Sequence, residues 1–368
     1  MALVAGQART IVVTATASSA TPLQIRLAWV TPQRRAQLTN EAVALAASAH
    51  TTLVFAFNEG TEGQDRTSLA LPDRQDDLVA AVASANARTV VVLNTGDPVL
   101  MPWLAGTGAV LQMWYPGQEG ADATAAVLLG EADPGGRLPE TYPARAADAP
   151  TAPVERYPGV NGHAAYSEGI FVGYRWYDAN GIVPLFPFGH GLSYTRFRYS
   201  DLTVRPTNGG LEVEFTVRNI GDRTGADVPQ VYVGPPMPAP VPMAPRQLAG
   251  FARLTLRAGE RRQVRIAVTG RTLSYWSPAG WRLAAGHREV MVGASSRDIR
   301  LRASATVPRG NKQSPRGNNF TAAAGPPATS RRRRAWHSTR ASGWRGQARR
   351  ECPSPGVPAP RSAPGRRA

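Results

Sequence analysis

Cysteine, lysine and long apolar runs are almost missing from this 368-residue chain. The single cysteine, Cys352, excludes an internal disulfide, so nothing points to an oxidising compartment. No run of about 18 apolar residues occurs, which removes the signal for a membrane-spanning helix. Met1 to Arg9 shows neither a charged leader nor a long apolar segment of the secretory kind. HExxH, CxxC and GxxxxGKS/T patterns are absent, and no serine occupies a GxSxG elbow. No metal or cofactor is therefore expected. The five histidines are scattered; His163 and His190 lie in glycine-containing loops and read as exposed or packed rather than ligating.

Charge is abundant but confined. The chain carries 41 arginines against one lysine and a net charge of +16. From Pro308 to Ala368, fourteen basic residues face one acid, Glu351, which leaves only +3 for the 307 residues before them. The folded body is nearly neutral. The tail holds Arg331 to Arg334, Trp336 and Trp344 among many Pro, Ser and Gly, has no apolar periodicity and cannot bury a core, so disorder is expected. Three readings of it stand: an arm for polyanions, a solvated tail, or read-through translation of a GC-rich gene. Without a recognised nucleic-acid fold, nucleic acid is not the expected partner.

A chain of this length predicts two or three domains. Residues 1–33 hold two β-type runs, Arg9 to Thr16 and Leu23 to Val30, joined by Ser18 to Pro22. A lone hairpin is marginal in water, so they read as the end of a larger β-domain. Residues 34–195 begin with alternating helix and strand: helix Asn40 to Ala49, strand Thr52 to Phe57, helix Asp73 to Ala85 with Asp73 as N-cap, and strand Thr89 to Leu93. A short helix around Leu100 to Leu104, strand Ala109 to Trp114 and helix Gly120 to Leu129, closed by Gly130, follow. The strands are continuous apolar runs, as in a mainly parallel sheet covered on both faces, an α/β/α sandwich. An aromatic connector over 144–195, from Tyr157 to Tyr194, reads as packing between domains. In residues 196–307 the period becomes two: Leu211, Val213, Phe215 and Val217 alternate with Glu212, Glu214 and Thr216, and Val264, Ile266 and Val268 repeat the pattern. That predicts a β-sandwich of about a hundred residues, and residues 308–368 form the tail.

Parallel topology places the loops after successive strands on one sheet edge, where open α/β sheets bind ligands. Those loops are Asn58 to Pro72, Asn94 to Pro98, and Tyr115 to Glu119. The first carries Glu59, Glu62, Asp65 and Arg66 among glycines. Glu59 and Glu62, three residues apart, could project into a cleft as general acids once burial or a second carboxylate raises their pKa. Asp65 and Arg66 are expected to pair with each other and brace the loop. Solvated loop acids remain the alternative on spacing alone.

Read together, the motifs resemble family 3 glycoside hydrolases. They are Glu62-Gly63-Gln64-Asp65-Arg66 with Leu69 to Pro72 and Gln75, Val90 to Val99, Trp114 to Gly120, Gly136 to Pro143, Glu168 to Tyr177 and Pro184 to Tyr194. Pro229 to Val233 and Leu248 to Phe251 are similar to that family's C-terminal fibronectin type III-like domain. The hairpin in 1–33 resembles the end of a protective-antigen-like β-domain. The resemblance runs from about residue 36 to 305 and implies a β-glucosidase-like retaining hydrolase acting on a β-linked glucoside or oligosaccharide. It implies Glu62 as the acid/base, with Glu59 as alternative. The family nucleophile is an aspartate on a preceding (β/α)8 barrel, and the sixty-one residues before Glu62 are too few to contain one. The chain is thus expected to be a C-terminal portion, inactive alone, with the barrel domain as its missing partner. The other reading is a non-catalytic carbohydrate-binding or partner-complementing protein.

Overall fold

Pro32 opens the first helix because its fixed φ suits the first helical position and its missing N–H is not needed there. The side chain of Thr31 accepts a hydrogen bond from the Arg34 amide and caps the turn, so α1 runs Pro32–Ser48, well before the expected start at Asn40. The computed structural model of the chain describes residues 30–60, 62–63 and 65–309. The expectations for the β-domain end before residue 30 and for the tail from residue 310 lie outside the described residues.

Three parallel strands follow in register, β1 (Thr52–Phe57), β2 (Thr89–Asn94) and β3 (Ala109–Gln112), in the order β1-β2-β3. Between the first two lies α2 (Gln75–Ala85), which packs on α1 and on β2. The amide of Asn86 ties the helices together by donating to the carbonyls of Ala46 and Ala49 at 3.0 and 2.8 Å. The core beneath the sheet holds Val79, Val91, Leu93, Val99, Trp103 and Tyr142, all buried. α3 (Gly120–Leu128) ends where Gly130 turns with φ +75, the left-handed stop its sequence predicts.

Four local expectations are corrected. Asp73 and Arg74 have φ of 56 and 61°, so α2 starts at Gln75 without a side-chain cap, and Asp76 in its first turn ties down the chain around it. One Asp76 oxygen accepts the Leu71 amide at 3.0 Å, the other the Trp103 indole N–H at 2.7 Å. The helix expected over Leu100 to Leu104 is only a 3-10 turn at Leu104–Gly106, since Pro102 disfavours helical geometry at Met101. β3 stops at Gln112 rather than Trp114, whose φ of 58 is incompatible with a strand. β1 is also buried on one face only, with Leu53, Phe55 and Phe57 46, 56 and 52 % exposed, whereas β2 is buried on both faces through Val91, Val92 and Leu93.

The second half is antiparallel throughout. The strands are β4 (Phe197–Thr207), β5 (Gly210–Asn219), β6 (Gly225–Asp227), β7 (Gln230–Val233), β8 (Gln247–Phe251), β9 (Leu254–Leu256), β10 (Arg261–Val268), β11 (Ser274–Ser277), β12 (Gly280–Leu283), β13 (Gly286–Gly293) and β14 (Ile299–Val307). Sheets β10-β5-β4 and β14-β13-β7-β8 bury Val213, Phe215, Val217, Val231, Val264, Val290 and Val292 between them, so the period-two residues face the core.

The aromatic connector joins the halves as its composition predicts. From α4 (Tyr174–Ala179), the Tyr174 ring stacks on Phe188 at 4.9 Å and its hydroxyl accepts the Leu248 amide at 2.8 Å. Asp178, 1 % exposed, meets Arg246 and Arg297 at 2.9 and 2.8 Å. Asp133 accepts from Ser193, Tyr194 and Ala226, each at 2.8 Å. The β-sandwich is thereby fixed to the segment that follows α3.

Candidate functional site

Strand order puts the ends of β1, β2 and β3 on one edge, and a single buried amide joins the loops that leave them. Asn58 follows β1 directly and its amide N–H continues the ladder to the Asn94 carbonyl at 3.3 Å. Its side-chain Nδ2 donates to Asp97 Oδ1 at 2.8 Å, while its Oδ1 accepts the Gly96 amide at 3.2 Å and the Tyr115 hydroxyl at 2.7 Å. Asn58 is 4 % exposed, and burial of an amide is tolerable only with its hydrogen bonds made. Gln75 steadies the strand one residue earlier, exchanging hydrogen bonds with the Phe57 carbonyl at 2.8 Å and amide at 2.9 Å.

Arg66 closes the same loop from its far end. Its guanidinium donates to the carbonyls of Pro98 and Ala70 at 3.3 and 3.1 Å and meets Asp97 Oδ1 at 3.1 Å. The expected pair of Asp65 with Arg66 is corrected: the partner of Arg66 is Asp97 on the next loop, where the planar fork also reaches two carbonyls. Asp65 instead faces the connector. Desolvation first, then the charge of the Asp65 carboxylate, raises the pKa of the Tyr157 hydroxyl. Glu59 and Glu62 are exposed on the stretch between Asn58 and Arg66, and Gly63 there turns with φ +77.

Tyr115 forms one wall. A Cβ on Gly60 would lie 3.0 Å from its hydroxyl, and one on Gly96 would lie 2.6 Å from its ring. Glycine at both positions lets the ring lie flat across the first two loops. The sequence singled out neither Tyr115, Asp97 nor Glu140 as site residues, although strand topology named the loops of the first two.

Glu140 brings a further carboxyl to this edge. Burial, and then the charge of Asp97, push its pKa from the ordinary 4.5 up to about 7. An acid held protonated by the fold makes the native state bind a proton between those two values, so stability falls as pH rises from 4.5 to 7. Glu140→Gln should remove that penalty. The expected gain is about 1–2 kcal/mol at pH 8, allowing for screening of a half-buried group, and none at pH 4. Urea unfolding of both proteins at the two pH values checks this; an equal change at both would refute it.

Among the described residues no group of three or more His, Cys, Asp or Glu side chains is disposed to hold a metal ion, and no helix is long and apolar enough to cross a membrane. The arrangement presents acids on a braced loop at a ligand edge, which suits proton transfer to and from a bound molecule.

Residues 3–174 match the glycosyl hydrolase family 3 C-terminal domain, and residues 227–296 match a fibronectin type III-like domain. A beta-glucosidase of Rhizobium radiobacter is 46% identical over 278 residues, which is 73% of this chain and 34% of that protein. The thermostable beta-glucosidase B of Acetivibrio thermocellus is 39% identical, over 74% of this chain and 37% of its own length. Among solved structures, DesR, a beta-glucosidase from Streptomyces venezuelae in complex with D-glucose, superposes with a TM-score of 0.74 at 48% identity. That match covers 76% of this chain and 36% of the other. The chain spans about a third of the length of the relatives it matches.

Proposed function

Since this chain belongs to glycoside hydrolase family 3, whose C-terminal domain it carries over residues 3–174, we propose that it supplies the acid/base half of a retaining β-glucosidase. The relatives' activity, their length and the braced loop support this reading. Glu62 is the proton donor, with Glu59 the alternative on the same stretch.

In such a reaction a carboxylate roughly 5 Å from the acid attacks the anomeric carbon while the acid protonates the departing glycosidic oxygen. The Glu62 carboxyl gives up its proton in that step. As a carboxylate it then takes a proton from the water that hydrolyses the glycosyl-enzyme, and the cycle closes with no net proton change at Glu62. The substrate is a β-linked glucoside or oligosaccharide. The attacking carboxylate is contributed by a (β/α)8 domain, the partner this chain requires.

The observation that supports the proposal is the joining of three loops by Asn58, Asp97 and Tyr115 at the sheet edge, where the segment that carries Glu59 and Glu62 leaves β1. The purified chain should release no phenol from an aryl β-glucoside, in a burst or in turnover. Turnover that disappears on Glu62→Gln would overturn the proposed inactivity.

A further inference from the structure

The segment from Asn58 to Arg66 contains glycines at 60 and 63 and exposed acids at 59 and 62. Both of its ends converge on one atom. Asp97 Oδ1 accepts from Asn58 Nδ2 at 2.8 Å and meets the Arg66 guanidinium at 3.1 Å. Tyr115 touches only the Asn58 end, while Pro98 and Ala70 touch only the Arg66 end. Among the described residues Asp97 alone is bonded to both.

We propose that Asp97 is the positioning residue of the Glu62 loop, a clamp that closes the segment between Asn58 and Arg66 and so fixes where the proton donor stands. This rests on the reading of Glu62 as acid/base, but the clamp itself is separable from it. The two bonds differ in kind. The Arg66 contact is charge-assisted, between a guanidinium 16 % exposed and a carboxylate 45 % exposed, so solvent screens it from the Asp97 side. The Asn58 bond satisfies a buried amide that has no other acceptor for its Nδ2 among the contacts described. Deleting the carboxylate therefore removes the one group bonded to both ends, leaving Asn58 on Gly96 and Tyr115 and Arg66 on Pro98 and Ala70. Asp97→Asn keeps the shape but removes the charge that attracts Arg66. Arg66→Lys keeps the charge but cannot span Asp97 and two carbonyls together.

Limited digestion of the full chain with a glutamate-specific protease tests the clamp, because cleavage after Glu59 or Glu62 requires that stretch to open into an extended form. In Asp97→Asn and Asp97→Ala, cleavage there should accelerate at least about tenfold, with Arg66→Lys in between, while cleavage after Glu155 on the connector stays as in the parent. Unchanged cleavage at 59 and 62, or equal acceleration at Glu155, overturns the proposal. In the complex with the (β/α)8 domain, Asp97→Asn should lower kcat by about 100-fold with KM retained, since misplacing a catalytic group by an ångström costs that much. A rise in KM with kcat intact would make Asp97 a binding group and also overturn the clamp. Accelerated cleavage together with full activity of Glu62→Gln would leave the clamp standing and remove Glu62 from its role.

Discussion

Glu62→Gln in a polypeptide that joins this chain to a (β/α)8 domain should cut turnover of alkyl and disaccharide β-glucosides by about 10²–10⁴, the range expected for loss of a general acid/base. The effect should depend on the leaving group. A dinitrophenolate departs without a proton, so its release forms the glycosyl-enzyme at a near-normal rate. Hydrolysis of that intermediate then stalls, because water needs the carboxylate to accept its proton. Azide needs no such help, and adding it should restore turnover and give a β-glucosyl azide. Glu59→Gln should leave turnover nearly intact. If the two variants exchange behaviour, the donor is Glu59, and the segment between Asn58 and Arg66 still presents it at the same edge.

Arg137→Ala should destabilise the fold by about 3–5 kcal/mol, the cost of leaving a buried charge without its partner. Arg137 follows α3 and meets Asp227 of β6 at 2.9 Å, with side chains 8 and 2 % exposed. Asp227 also accepts the Tyr199 hydroxyl at 2.8 Å and the Val228 amide at 2.9 Å, so the carboxylate has two neutral donors left once the guanidinium is gone. Two such bonds do not replace a buried counter-charge. The double substitution Arg137→Met with Asp227→Leu should recover much of the loss, because the charge is then removed along with its partner. Urea unfolding monitored by tryptophan fluorescence reads both. A loss under 1 kcal/mol in Arg137→Ala would mean that water reaches Asp227 in solution.

Much of this architecture is legible in the sequence because it rests on periodicity. The continuous run Thr89 to Leu93 predicts β2 to within a residue, and alternation from Leu211 to Val217 identifies the face of β5 that is buried. Left-handed residues are not legible in this way: nothing in the side chains of Asp73, Arg74 and Trp114 announces a positive φ, and all three shifted an element boundary. The exposed stripe Leu53, Phe55 and Phe57 misleads for a different reason. Its composition reads as a strand buried on both faces, while the described residues cover only one. At the site, topology brings the right loops together, but pairing across loops is a property of distance. Arg66 next to Asp65 in sequence suggests a local pair; in space Asp97 is the better partner because it lies where the guanidinium can also reach two carbonyls. Glu140 shows the same limit. It lies inside a recognisable motif, yet its acidity is set by burial and by Asp97, forty-three positions earlier.

Half an active site is the central claim, and one reconstitution tests it most directly. The purified chain is mixed with a separately produced (β/α)8 domain of a family 3 glycoside hydrolase, and release of nitrophenol from 4-nitrophenyl β-D-glucoside is followed for each part and for the mixture. The expected result is no turnover from the chain alone, turnover in the mixture, and loss of azide-independent turnover when the chain carries Glu62→Gln. Turnover by the chain alone, or a mixture indifferent to Glu62→Gln, would contradict the account.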